Sequence, residues 1–189
     1  MRRLAVAVVV MLLELSVLGI VPSASQATSS SKTSRVQAEK AIRTSIFETM
    51  KAFLTGDIKT LRQRSAQRTL DLVNLVYEAA KEDPRLQEEL RSARITNADE
   101  FLRFFMQGMA NQYLQATPMR PEQAARKVAH DAVVSFTSDS EARIRVGDSE
   151  FARAKLVARQ WKIDLTDSLK KAVLKEVTNP EMRARIKSL

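Results

Sequence analysis

The chain contains no cysteine, which excludes disulfides, thiolate nucleophiles and cysteine-ligated metals. Glycine and proline are sparse, at 4 and 5 residues in 189. That scarcity argues against a turn-rich all-β sandwich and against any glycine-rich phosphate loop. The single histidine, His130, cannot by itself build a multi-histidine metal site. No HExxH, G-x-S-x-G or P-loop spacing occurs. Aromatic residues make up only 5% of the chain. They do not interleave with the basic residues as a base-stacking platform requires, so nucleic acid is a disfavoured partner.

What is present describes a folded globular protein. Hydrophobic residues account for 44% and charged residues for 28%. The length suits one domain with a sizeable core. The formal net charge is +9, which favours anionic surfaces such as phospholipid headgroups, cell-wall polymers or nucleic acid, without choosing among them.

Met1-Arg2-Arg3 precedes an apolar run over residues 4–21, and the following VPSASQA offers small residues for cleavage. We expect a secretory signal peptide over 1–27, cut after Ala27, and hence a periplasmic or secreted protein. The rival is an uncleaved N-terminal membrane anchor. Glu14 within the run is costly at a bilayer centre and favours cleavage. Losing Arg2, Arg3 and Glu14 with the leader lowers the net charge by only one, so the mature chain stays basic.

The remainder divides into a polar linker over 28–34 and one α+β domain over 35–189. Its helical part is expected over 35–130, its sheet over 131–165 and a C-terminal helix over 166–189. Ile42, Ile46, Met50, Phe53 and Leu54 form a helical stripe that Gly56 stops, with Asp57 poised to cap the next helix. A break is expected near Ser65, before a stripe of Leu70, Val73, Val76, Tyr77 and Ala80. Asp83-Pro84 opens a short charged helix. Asn97 with Glu100 resembles a capping box for the most apolar helix, which Thr117-Pro118 ends. Pro121 opens one more short helix.

Three runs then alternate with period two. Ala142, Ile144 and Val146 share one face; so do Ala152, Ala154, Leu156 and Ala158, and then Trp161, Ile163 and Leu165. Gly147-Asp148 marks a turn. An antiparallel sheet of three to four strands carrying helices on one face is the economical reading. Thr166 is expected to cap a final helix, with Asn179-Pro180 interrupting it.

Two segments, AFLTGDIKTL (Ala52 to Leu61) and KLVARQWKIDL (Lys155 to Leu165), resemble the nuclear transport factor 2-like superfamily, particularly its secreted bacterial members of unassigned function. The likeness covers 35–165. It implies a curved antiparallel sheet wrapped round helices into a cone with an apolar pocket. The chain departs from the pattern at Arg159-Gln160, where the last hairpin usually has a glycine, and its helical part is longer than typical. The superfamily's enzymes use a pocket carboxylate or a His–Asp pair. No acid or base occurs among the inner-facing strand positions here. His130 and Asp131 are adjacent, and neighbours in sequence face apart on strands and helices alike. No catalytic residue, metal or cofactor is therefore expected.

The candidate sites are two faces of one sheet. On the inner face, small Ala142 and Ala154, with Ile144, Leu156 and Trp161, oppose large Phe101, Phe105 and Met109 on a helix. Such a pairing either lets the helix dock closely or leaves an apolar pocket for an acyl chain or similar molecule. On the outer face, Arg143, Arg145, Arg153, Lys155, Arg159 and Lys162 keep the protein solvated or dock an anionic membrane surface or acidic protein. The preferred reading is a non-enzymatic, exported binding domain for a small apolar ligand or an envelope partner. A periplasmic phospholipid carrier of the Mla type and a pocket enzyme of the same superfamily are the alternatives.

Overall fold

The computed structural model describes residues 29–116, 119–177 and 179–189. The leader and the Thr117-Pro118 stop lie outside the described residues. Helix α1 (Ser29–Thr55) buries Ile42, Ile46, Met50 and Leu54, the stripe expected from the spacing. It begins earlier than expected, so residues 29–34 are its first turns rather than a linker. Extending an existing helix adds one hydrogen bond per residue fixed, which a serine-rich segment can sustain.

Gly56 (φ 72°) ends α1 in the left-handed conformation. Its amide donates to Phe53 and that of Asp57 to Ala52 (2.9 Å), so two orphan carbonyls are satisfied. Asp57 then caps α2 (Ile58–Arg64), its carboxylate accepting from the Thr60 amide at 3.1 Å. The break at Ser65 is present. There Ser65-Ala66 crosses beside β4, where the Ala66 amide donates to the Ile163 carbonyl at 2.9 Å. This link covers a sheet edge that would otherwise be open to pairing.

Helices α3 (Gln67–Glu82), α4 (Pro84–Ser92), α5 (Ala98–Ala116) and α6 (Pro121–Asp131) follow. The cap of α5 is half of the expected box. Asn97 Oδ1 accepts from the Glu100 amide at 3.0 Å, whereas the Glu100 carboxylate turns to Thr96. Helix α6 lies antiparallel to α1. Ala124, Ala125 and Ala129 are buried with the α1 stripe, and Arg43 donates to the carbonyls of Ala129 and His130 at 2.8 and 3.0 Å.

Strands β1 (Val133–Ser138), β2 (Glu141–Val146), β3 (Ser149–Val157) and β4 (Gln160–Asp164) form one antiparallel sheet in sequence order. The fold is thus α+β, with helices before the sheet and helices after it. The latter are α7 (Thr166–Glu176) and α8 (Pro180–Ser188), separated at Asn179-Pro180. The first turn of α7 differs from expectation. Asp164 Oδ1, not a side chain at the helix start, accepts from the Thr166 amide at 3.0 Å.

Strict alternation fails between Phe136 and Ser138, where the β1–β2 register shifts, and again in β3. Ile144 opposes Ala152 but Arg145 opposes Glu150, so Phe151 is an extra residue in β3. Phe151 and Ala152 are consequently both buried. The freed Phe151 carbonyl accepts from Ser168 Oγ of α7 at 2.6 Å, which ties the C-terminal helix to the bulge.

Ala158, expected on the inner face, instead joins Arg159 in the β3–β4 turn. Their φ values of 49° and 64° are left-handed, in a turn that favours Asn-Gly. Ala158→Asn should therefore raise the unfolding free energy by about 0.5–1 kcal/mol, since asparagine tolerates this region better than alanine. A urea unfolding midpoint that does not rise contradicts this account of the turn.

Candidate functional site

The inner face of the sheet is filled. Ala142 and Ala154 lie side by side on the two central strands, each 0% exposed. Phe136 from β1 and Trp161 from β4 meet above them, ring centroids 6.1 Å apart at 70°. The alanine methyls leave room for that edge-to-face pair, and the sheet curls to close it. Helix α1 seals the layer, with Ser45 Oγ donating to the Trp161 carbonyl at 2.8 Å.

The eight residues expected around one pocket are therefore not brought together. Ala142, Ile144, Ala154 and Trp161 belong to the sheet core, whereas Phe101 and Phe105 point into a different, helical cluster. Leu156 is 39% exposed at the hairpin tip, and Met109 falls on α5. The physical reason is Phe136. Its ring occupies the space that the small residues seemed to leave, and it was missing from the inner-face positions read off the alternation.

An apolar groove does exist, but between helices. Leu72, Val73 and Val76 of α3 form one wall, and Phe101, Leu102 and Phe105 of α5 another. Leu169 and Val173 of α7 form the third, and Leu165 and Leu61 the floor. Phe101 stacks on Phe105 at 6.4 Å, while Val73, Phe105 and Leu169 are half-buried at the rim. The enclosed part measures ≈ 60 Å³, and the groove is open to solvent along its mouth.

Ser65 and Thr69 are the polar residues of the lining. Ser65 Oγ is buried with no hydrogen-bond partner among the described residues. The stripe through Val73 and Val76 and the apolar character of α5 were visible in the sequence. Which stripes face one another was not.

Asp164 lies behind Thr69. The alternation places it on the solvated outer face, yet it is only 4% exposed, because α7 turns across it directly after β4. Its Oδ1 accepts from the Thr166 amide at 3.0 Å and from Thr69 Oγ1 at 3.3 Å. Its Oδ2 faces Lys155 Nζ at 3.3 Å as an ion pair, without the alignment of a hydrogen bond. Burial alone pushes this carboxyl up. The hydrogen bonds from Thr166 and the Lys155 charge outweigh it and hold the group below its ordinary value. A carboxylate so held is ionised at neutral pH and is poorly suited to carry a proton there.

On the outer face the register sets Arg143 opposite Arg153 and Lys155 opposite Lys162. Arg153 is offset by Glu141, Glu150 and Asp167 at 3.8, 3.4 and 3.3 Å. Arg143 and Arg145 project from β2 into water. Exposed His130 Nδ1, at the end of α6, lies 3.0 Å from Asp131 Oδ1. The expectation that these neighbours cannot meet is corrected: Asp131 ends α6, where the chain leaves helical geometry. Lys127 takes the other Asp131 oxygen at 2.6 Å and chiefly holds its carboxyl below the ordinary range. The pair stands on open surface, away from the groove.

Among the described residues, no helix is long and apolar enough to cross a membrane, and no group of three or more metal-ligating side chains converges. Comparison with protein-family models, with curated proteins and with solved structures finds no match for this chain.

Proposed function

We propose that the chain is an exported binding protein that takes a small apolar ligand, a single acyl chain or a molecule of similar shape, in the groove between α3, α5 and α7. The observation that carries this reading is an open depression lined by aliphatic and aromatic side chains on three helices, with a buried, unpartnered hydroxyl at Ser65. Its enclosed part is smaller than the cavity of about 150 Å³ that admits benzene in an engineered protein. The occupant therefore lies along the open mouth with one slender portion inserted, which suits one chain better than a two-chain phospholipid. The lining supplies van der Waals contact and two hydroxyls, which suits binding rather than acid–base chemistry.

Titration of the purified chain with a fluorescent fatty-acid analogue tests this reading. We expect saturable uptake of one molecule per chain, also visible by native mass spectrometry. Leu169→Trp fills the mouth and should reduce uptake at least tenfold while leaving the circular dichroism spectrum unchanged. Absence of saturable uptake by the unaltered chain, or equal uptake by Leu169→Trp, would overturn it.

A further inference from the structure

The β3–β4 hairpin presents aliphatic side chains to water beside a cationic face. Leu156 and Val157, consecutive at the end of β3, are 39% and 46% exposed; the sheet's other exposed large aliphatic residue, Val133, stands alone at the start of β1. The turn that follows, Ala158-Arg159, holds two non-glycine residues in the left-handed region. Backbone strain of this kind persists where the surroundings enforce it and often accompanies function.

The charges at this end are only partly balanced, although Lys155 stands opposite Glu141 of β2. Lys155 stands directly opposite Lys162 across the strands, an unfavourable like-charge pair. Asp164 offsets Lys155, but Arg159 and Lys162 make no ion pair among the described residues, and no acid occurs between Lys155 and Ile163. Arg143 lies further back on the same face, also without an ion pair among those residues. The tip is thus a short apolar edge flanked by uncompensated cations, on a chain of net charge +9.

An anionic bilayer has the complementary order: phosphates outermost, hydrocarbon beneath. A soluble anion would satisfy Arg159 and Lys162 and leave Leu156 and Val157 in water. We propose that the β3–β4 hairpin docks on an anionic phospholipid surface. Leu156 and Val157 enter the interface, and Arg159, Lys162 and Arg143 reach lipid phosphates. Such docking is reversible and weakens with salt, because it rests on few apolar groups and on screened charges. It stands independently of the groove, since it uses none of the groove's residues.

The absence of cysteine makes the test direct. Val157→Cys in the full chain takes one polarity-sensitive NBD fluorophore at the tip, and Asp148→Cys takes one in the opposite hairpin. With vesicles of phosphatidylcholine and phosphatidylglycerol, the probe at 157 should shift to the blue and brighten at least twofold. The probe at 148 should stay as in water, and neither should respond to phosphatidylcholine alone. Adding Arg159→Glu and Lys162→Glu, or 0.5 M salt, should remove the response, with Trp161 fluorescence reporting an intact core. The apolar run over 4–21 is common to every variant, so its own partitioning does not distinguish the two probe positions. An unshifted probe at 157, an equal shift at 148, or indifference to the charge reversals overturns the proposal. The same response to soluble polyglutamate would assign the surface to an acidic protein and overturn the lipid reading.

Discussion

Replacing Asp164 by alanine is expected to lower the free energy of unfolding at pH 7 by about 3 kcal/mol, read as a fall in the urea midpoint at unchanged slope. Removing one partner of a buried pair typically costs ~3–5 kcal/mol. Lys155, about a third exposed, can rehydrate and lowers that figure. Loss of the acceptor at the first turn of α7 adds back roughly 1 kcal/mol. Thr69 also loses an acceptor in a buried setting. Asp164→Asn keeps an oxygen for Thr166 and removes only the charge, so its cost should be smaller, about 1–2 kcal/mol.

The asparagine variant also reports the protonation linkage. The folded-state value of Asp164 lies below the ordinary aspartate value of 3.8. The stabilisation is therefore fully present above that unfolded value and is lost as pH falls through the folded one. The stability difference between the unaltered protein and Asp164→Asn should hold from pH 7 to about pH 5 and shrink as the pH falls below the ordinary aspartate value and through the lower folded-state one. A difference that persists undiminished in acid would mean that the carboxylate charge contributes nothing. The destabilisation would then come from local packing alone.

Ala154→Leu is expected to destabilise the protein by about 2–3 kcal/mol, with altered Trp161 fluorescence. Ala154 is wholly buried next to Ala142, beneath the Phe136–Trp161 pair. Extra methylenes there force the rings or α1 outward, and overpacking a closed core costs about 1–3 kcal/mol. The sign decides between two accounts of the alanine-lined face. A real cavity over the sheet would accept the leucine and gain stability from filling the void. A neutral or stabilising result would therefore restore the pocket that the sequence pattern suggests, and the filled sheet core described above would be wrong.

Much of the local structure was legible because its causes are local. Gly56 and Asp57 end one helix and start the next through conformational freedom and a short carboxylate reach, both properties of single residues. Asn179-Pro180 works the same way, with Asn179 Oδ1 accepting from the amides of Glu181 and Met182. Period-two alternation from Ala142 to Ile163 identified the strands and their two faces. The exceptions were Phe151 and Ala158, because a bulge and a turn break the period without leaving a mark in composition.

The candidate sites were less legible. Phe101 and Phe105 read as one side of a pocket under the sheet, and they face α3 and α7 instead. An amphipathic stripe records that a helix buries a face, but not which partner buries it. Asp164 reads as a solvated offset to the basic face. Only the path of α7 after β4 makes it the most deeply buried charged group among the described residues.

The sequence by itself determined the class of the fold, the order of its elements and the charge of one sheet face, since these follow from residue chemistry and its period along the chain. The tertiary structure decided that the alanines pack rather than enclose space and that the open groove lies between helices. It also decided that lysine stands opposite lysine at the hairpin tip. Those outcomes depend on strand register and on which apolar faces meet, and both are set by long-range packing that no local period encodes.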